Sequence, residues 1–319
     1  MTSDAYTEAW LAGPQLTQFY TRTYLASPAS PAKAVLVFIH GFAEHVGRYT
    51  EAHPVLAAAG INVFTFDQRG FGKTALDPAQ KSRSNAYGRT SGEAQMDDVA
   101  WAVAHAARAF PGLPLFLSGH SMGGGEVLNF PIRRAEAASA LAGVIASSPI
   151  VHQTKPASKV QRWIGGRVAV VLPNMSFPAP LDYADLSHDE AYNKMCRLDP
   201  LTKLQGSLRG ISDMLNWGEE LLAENYKKWP KALPVLFVHG TGDQITSHVA
   251  AKALHDKIVA DDKSFIAYPD MFHELVHEPA CREKVLADII AFIDAHAGKP
   301  AGAVATDAAE PAAQVEAKL

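Results

Sequence analysis

One stretch constrains what this chain can fold into more than any other: Leu113-Pro-Leu-Phe-Leu-Ser-Gly-His-Ser-Met-Gly-Gly124. The apolar run Leu113–Leu117 has the length and bounding residues of a short buried strand. It breaks into Gly119-His120-Ser121-Met122-Gly123, which fits Gly-x-Ser-x-Gly, and a helix-compatible run follows from Glu126. Strand, sharp turn and helix in that order make a nucleophile elbow. The turn is strained and closely packed, so a Cβ two residues either side of Ser121 is expected to clash. Such a turn lifts the serine hydroxyl clear of the sheet edge. It also aims a helix N-terminus at that hydroxyl, where backbone N–H groups can hold a developing oxyanion.

The rest of the chain supplies a sheet for the elbow to sit on. Residues 16–24 are rich in Thr and aromatics, as strands are. Ala34–Ile39 is fully apolar and Ile61–Phe66 is mostly so, and both read as central strands. Residues 93–110 have helical spacing with acidic residues early. Leu141–Ala146, Pro234–His239 and Ser264–Tyr268 complete the strand set, and a helix near 280–296 closes it. Strands alternating with helices predict an α/β fold, a mostly parallel sheet with both faces covered. The core is expected over residues 1–148 and 233–296.

The interval 149–232 is too long for a loop and shows helical patches around 188–197 and 207–228. It reads as a cap inserted over the C-terminal edge of the sheet, where such folds place their ligands. Its most apolar part, 163–177, is expected either to pack within the cap or to meet lipid. Residues 297–319 are Ala-rich with scattered Gly, Pro and charges, and read as a disordered tail.

A serine hydroxyl needs a base to take its proton and a carboxylate to orient that base. Asp243, in Gly240-Thr-Gly-Asp-Gln-Ile245, lies just past the strand ending at His239, and His273 lies a short loop past the last strand. The order Ser121, Asp243, His273 is the one such sheets use. Asp243 could also cap a helix from about 246. His40-Gly41-Phe42-Ala43 ends an earlier strand, so the two oxyanion donors are assigned to the backbone N–H groups of Phe42 and Met122.

Two other motifs compete. His273-Glu-Leu-Val-His277 matches the zinc-protease pattern H-E-x-x-H, but Pro269 and Pro279 leave room for a turn or two of helix and no third ligand stands out. Asp67-Gln-Arg-Gly-Phe-Gly-Lys-Thr74 ends like a P-loop but has Asp67 where the first glycine is required. A turn after the strand is the expected role. A net charge of −4 gives no reason to expect a nucleic-acid partner. Cys196 and Cys281 lack metal-ligand spacing and suit a reducing compartment, though one disulfide between them is possible. The N-terminus lacks the pattern of a signal peptide and no apolar run has the length of a membrane span, so a cytoplasmic or peripherally membrane-associated chain is expected.

With these residues in hand, the chain resembles the monoacylglycerol lipase group of α/β-hydrolases, the Hydrolase 4 or serine aminopeptidase S33 family. The matching segments are His40-Gly-Phe-Ala-Glu-His-Val-Gly-Arg-Tyr49, Phe66-Asp-Gln-Arg-Gly-Phe-Gly72, Gly119–Gly124, Gly240–Asp243, Phe272-His-Glu-Leu275 and Asp199-Pro-Leu201. The resemblance implies a Ser–Asp–His ester hydrolase without metal or organic cofactor, whose cap forms an apolar tunnel for one acyl chain. It implies that Glu44 and Arg48 surround a glycerol head group. Family members often carry a Tyr three residues before Asp-Pro-Leu and a second His three residues after the catalytic one. Here Cys196 and Val276 hold those places, with Tyr192 and His277 nearby, so Tyr192, Cys196 and His277 are expected at the substrate. Monoacylglycerol is the implied substrate. A lysophospholipase or broad esterase would use the same triad, and a ligand receptor or a zinc hydrolase would not.

Overall fold

Runs in which nearly every residue is apolar need cover on both faces, and their lengths suit strands rather than helices. In the computed structural model, which describes residues 5–156 and 166–298, they become the middle of an eight-stranded sheet. In chain order the strands are β1 (Thr7–Ala12), β2 (Gln18–Tyr24), β3 (Ala34–Ile39), β4 (Ile61–Phe66), β5 (Leu115–His120), β6 (Leu141–Ser147), β7 (Ser176–Pro178), β8 (Gln205–Ser207), β9 (Val235–Gly240) and β10 (Lys263–Tyr268). The sheet order is β1-β2-β4-β3-β5-β6-β9-β10, antiparallel at the β1–β2 and β2–β4 pairs and parallel thereafter. Every residue of β3, β4, β5, β6 and β9 is buried.

Two apolar layers cover the faces. The helices Gly92–Ala109, Met122–Arg133 and His248–Lys257 pack on one, around Phe64, Leu117 and Phe237. Ala52–Ala58 and Arg282–His296 pack on the other, around Leu36, Phe116 and Val238. The chain builds outward from β3 to β4, then crosses back to lay β5 on the other side of β3. Adjacent loops therefore part at the C-terminal ends of β3 and β5, the crevice where open α/β sheets bind ligands.

Three elements differ from expectation. β1 is an extra, largely exposed edge strand whose Thr-Glu-Ala-Trp-Leu-Ala lacks the alternation that marks a half-buried strand. β5 runs on through Ser118, Gly119 and His120 instead of stopping at Leu117. The helix after it begins at Met122, four residues before Glu126. Three consecutive glycines argue against a helix on propensity, but packing requires them. A Cβ at Gly123 would lie 2.3 Å from the Ile39 carbonyl oxygen, at Gly124 2.8 Å from Pro149 Cα, and at Gly125 2.8 Å from Ile150 Cγ2.

Between β6 and β9 lie the short antiparallel pair β7–β8 and the helices Glu190–Leu198 and Leu208–Ala223. The last of these also belongs to the core, where its Leu221 is fully buried. Positions 163–165 of the apolar segment, with Trp163 and Ile164, lie outside the described residues, as does the tail from 299 onward. Among the described residues no helix is long and apolar enough to cross a membrane. Both cysteines are free and buried.

Candidate active site

Ser121 caps the helix Met122–Arg133 with φ 55° and ψ −113°, a backbone conformation that side chains with a Cβ seldom adopt. The surroundings hold it there. Its N–H donates to the Ser147 carbonyl at 3.0 Å, and its own carbonyl accepts from Gly125 and Ile150, each at 3.0 Å. The glycines two residues either side are obligatory, since a Cβ at Gly119 would sit 2.2 Å from the Gly123 carbonyl oxygen. Strain fixed in this way aims the hydroxyl off the sheet.

The loop after β3 comes within reach of it. A Cβ on Gly41 would lie 3.0 Å from Ser121 Cβ. The loop turns on Ala43, at φ 58°, and three side chains pin it. Glu44 Oε2 accepts from the Gly41 N–H at 2.9 Å and from the Tyr49 hydroxyl at 2.7 Å. His40 accepts the Gln68 N–H on Nε2 at 2.9 Å, so its proton lies on Nδ1, which donates to the Gly41 carbonyl at 2.8 Å. Burial lowers the His40 pKa to about 4, which keeps that tautomer neutral. The Phe42 and Met122 N–H groups find no acceptor among the described residues. Both remain available to an oxyanion.

Asp243 and His273 meet above β9 and β10. Asp243 Oδ1 accepts the N–H groups of Ile245 and Thr246 at 2.8 and 2.9 Å, which fixes the carboxylate. It does not cap a helix, because His248–Lys257 starts later and is capped by Ser247. Its Oδ2 lies 2.8 Å from His273 Nδ1, 2.8 Å from the Thr246 hydroxyl and 3.1 Å from His239 Nε2. Burial opposes this charge, but His273 and His239 hold the carboxyl well below its usual range. The Ser148 hydroxyl donates to the His273 carbonyl at 2.8 Å and steadies its loop. Ser121 and His273 line one cavity of ≈ 300 Å³. The Ser121 hydroxyl makes no hydrogen bond among the described residues, a contact that commonly forms only once substrate is bound.

That cavity is walled mainly by apolar side chains, among them Phe177, Leu181, Leu204, Met214 and Ile245, with Glu44 and Arg48 as charged members. Arg48 donates to Thr202 at 3.0 Å and lies 3.8 Å from Glu44 and 4.0 Å from Glu274. Tyr192, Cys196 and His277 do not line the cavity, contrary to expectation. Tyr192 and His277 stack at 4.2 Å, and His277 holds the Arg48 carbonyl and Glu274 at 2.9 and 3.2 Å. Cys196 is fully buried beside Tyr192. These three support the arginine from behind.

Sequence reasoning passed over His120 and Glu274, each one position from a candidate triad member. His120 lies between Glu274 at 3.5 Å and Glu44 at 3.7 Å, with its ring 4.7 Å from that of His273. Burial works against its charge, but Glu274 and then Glu44 raise its pKa to about 9. Their adjacency to Ser121 and His273 was the available signal.

The competing motifs resolve differently. His273 lies before a three-residue turn, Leu275–His277, and His277 ends it; the two bind unrelated partners, so they do not converge on a metal. Among the described residues, Glu44, His120 and Glu274 do bring ligand atoms within 4.8 Å of one another, but the Arg48 guanidinium stands beside both carboxylates. Asp67 accepts the N–H groups of Val46 and Lys73 at 2.8 and 2.6 Å, closing a turn.

Comparison with known proteins adds a family. The Hydrolase_4 profile, serine aminopeptidase S33, matches residues 30–280. A putative monoglyceride lipase of Schizosaccharomyces pombe is 35% identical over 266 residues, covering 82% of this chain and 66% of that protein, just under two thirds of its length. A monoacylglycerol lipase of Mycolicibacterium smegmatis is 29% identical, covering 85% of this chain and 91% of its own. The crystal structure of a soluble variant of the Saccharomyces cerevisiae monoglyceride lipase, bound to a substrate analogue, superposes with a TM-score of 0.82 at 25% identity. That match covers 92% of this chain and 97% of that one.

Proposed function

The chain belongs to the serine aminopeptidase S33 (Hydrolase_4) family, and from that premise we propose that it hydrolyses monoacylglycerols to fatty acid and glycerol through an acyl-enzyme on Ser121. The observation that carries this reading is the Asp243–His273 pair, 2.8 Å apart, sharing a largely apolar cavity with a strained Ser121. His273 Nε2 takes the Ser121 proton as Oγ bonds to the acyl carbon. The negative charge moves to the carbonyl oxygen, against the Phe42 and Met122 N–H groups. Collapse breaks the bond to glycerol, which leaves with the proton from His273. Water then adds to the acyl carbon, giving its proton to His273, and the Ser121 oxygen departs with that proton as fatty acid is released.

The apolar wall suits a long acyl chain, since each buried methylene contributes about 0.8 kcal/mol. Glu44 and Arg48, at the same cavity, supply an acceptor and a donor for glycerol hydroxyls. Val170, Val171, Leu172 and Phe177 are exposed, and Phe177 also lines the cavity, which favours loading from a membrane or lipid-droplet surface. Buried free thiols fit a cytoplasmic setting.

The test is fatty-acid release from a monoacylglycerol beside matched lysophospholipid and triacylglycerol, with Ser121→Ala as control. Ser121-dependent turnover strongest on monoacylglycerol is expected. Stronger turnover on lysophospholipid would keep the mechanism and replace the substrate, and a folded protein silent on all three would end the enzyme reading.

A further inference from the structure

A second cavity, of ≈ 390 Å³, lies away from the catalytic one where core and cap residues meet. Among the described residues its wall carries three arginines, Arg69, Arg89 and Arg209, and no carboxylate. Arg69 is spent on Asp98, at 2.8 and 2.6 Å, and on Thr17 and the Pro14 carbonyl. Arg209 gives only Nε to Asp213, at 2.8 Å, and its terminal N–H groups have no acceptor among the described residues. Arg89 is exposed, and its guanidinium has no partner among them. Asp98 and Asp213 offset two of the three charges. Arg89 leaves the wall positive, and Lys81 and Arg83 stand in the same loop.

The polar lining points the same way. Thr90 is 9% exposed and lines the cavity, yet its hydroxyl, itself buried, has no hydrogen-bond partner among the described residues. A buried hydroxyl without a partner is costly and calls for one. The adjoining helix N-terminus is not the source of the site, because the Gly92 amide is taken by Asp213 and the Ala94 amide by Ser91. Gln15, held with Leu16 in left-handed conformations at φ 54° and 58°, turns toward the cavity and leaves Leu16 86% exposed. Pro173 and Asn174 form the cap side of the wall, directly after the exposed Val170, Val171 and Leu172.

We propose that this cavity binds a phosphate-bearing group, with Arg89 and Arg209 on its oxygens, and that its occupant is the head group of an anionic phospholipid. Guanidinium forks match phosphate oxygens in pairs. The volume exceeds what a bare carboxylate needs and admits a phosphate with its glycerol attached. The ridge 170–172, continuous with the wall, meets acyl chains when the head group is seated. The site would dock the cap on an anionic membrane without touching the catalytic residues.

The experiment is co-sedimentation of the full chain with phosphatidylcholine vesicles and with the same vesicles containing phosphatidic acid. Arg89→Ser is compared with Lys231→Gln, which removes an exposed charge elsewhere. Turnover of a short soluble ester without vesicles shows that each variant is folded. Phosphatidic acid should raise binding, and Arg89→Ser should lower that gain about tenfold, the scale of one charge-assisted hydrogen-bond contact. Lys231→Gln should leave it unchanged. Inorganic phosphate should compete better than chloride at equal ionic strength. A rise in melting temperature with inorganic phosphate that is lost in Arg89→Ser, without any vesicle effect, would overturn the lipid assignment and leave a site for a soluble phosphate. Equal losses in both variants, or no response to phosphatidic acid or phosphate, would overturn the proposal.

Discussion

Replacing Asp243 by Asn changes one atom and should remove nearly all activity. Oδ1 receives two backbone N–H groups, from Ile245 and Thr246, so the amide oxygen must occupy that side. The new NH2 then takes the place of Oδ2 and faces His273 Nδ1, 2.8 Å away in the parent. Two donors cannot face each other. His273 must therefore accept on Nδ1 and carry its proton on Nε2, where it can no longer take the proton of Ser121. Thr246 accommodates the swap, because its hydroxyl can turn fully to the Ser148 carbonyl, 3.0 Å away. A triad held in the wrong tautomer loses roughly 10^4 in kcat, about 5 kcal/mol of transition-state stabilisation.

The assay is steady-state release of fatty acid at neutral pH, with a thermal melt as the folding control. The stability that ionised Asp243 contributes is fully present above its unfolded pKa of 3.8 and is lost as pH falls toward the depressed folded value, so neutral pH compares both proteins on a plateau. A folded Asp243→Asn protein that loses less than about tenfold in kcat would refute the tautomer argument.

Glu126 is buried on the elbow helix with Oε1 accepting from Gln95 at 2.7 Å and Oε2 without a hydrogen bond among the described residues. Burial, and then Asp98, push its pKa well above 4.5. The stability its protonated form contributes is complete below the unfolded value and drains away as pH rises through the folded one. Glu126→Gln should therefore flatten the decline in melting temperature as pH rises above about 4.5, and an unchanged slope would contradict this. His273→Ala should lower kcat by roughly four to six orders of magnitude. His277→Ala, acting behind Arg48, should mainly raise KM for monoacylglycerol; a His277 variant as inactive as the His273 one would reverse their assignment.

The β3, β4, β6 and β9 runs were legible because burial on both faces leaves a near-continuous apolar signal too short for a helix. The elbow was legible because its glycines are dictated by backbone clashes, and the candidate triad because each member follows a strand. The early start of the elbow helix was hidden, since local propensity points against Gly123, Gly124 and Gly125 and only contacts with Ile39, Pro149 and Ile150 explain them. β1 was hidden because an exposed edge strand needs no apolar pattern. The network of Glu44, His120 and Glu274 joins residues far apart in sequence, and their pairing becomes visible only when β3, β5 and β10 lie in one sheet. His277 is adjacent to the expected place in sequence and Tyr192 lies one helical turn from it, yet neither lines the cavity: His277 holds the Arg48 carbonyl and Tyr192 stacks on His277.

The most direct test is to label the nucleophile covalently. The protein would be treated with a fluorophosphonate, digested and mapped by mass spectrometry, beside Ser121→Ala and Asp243→Asn. The account predicts one stoichiometric adduct on Ser121, absent from Ser121→Ala and formed far more slowly in Asp243→Asn. An adduct on another residue, or none on a folded protein that still releases fatty acid, would contradict it.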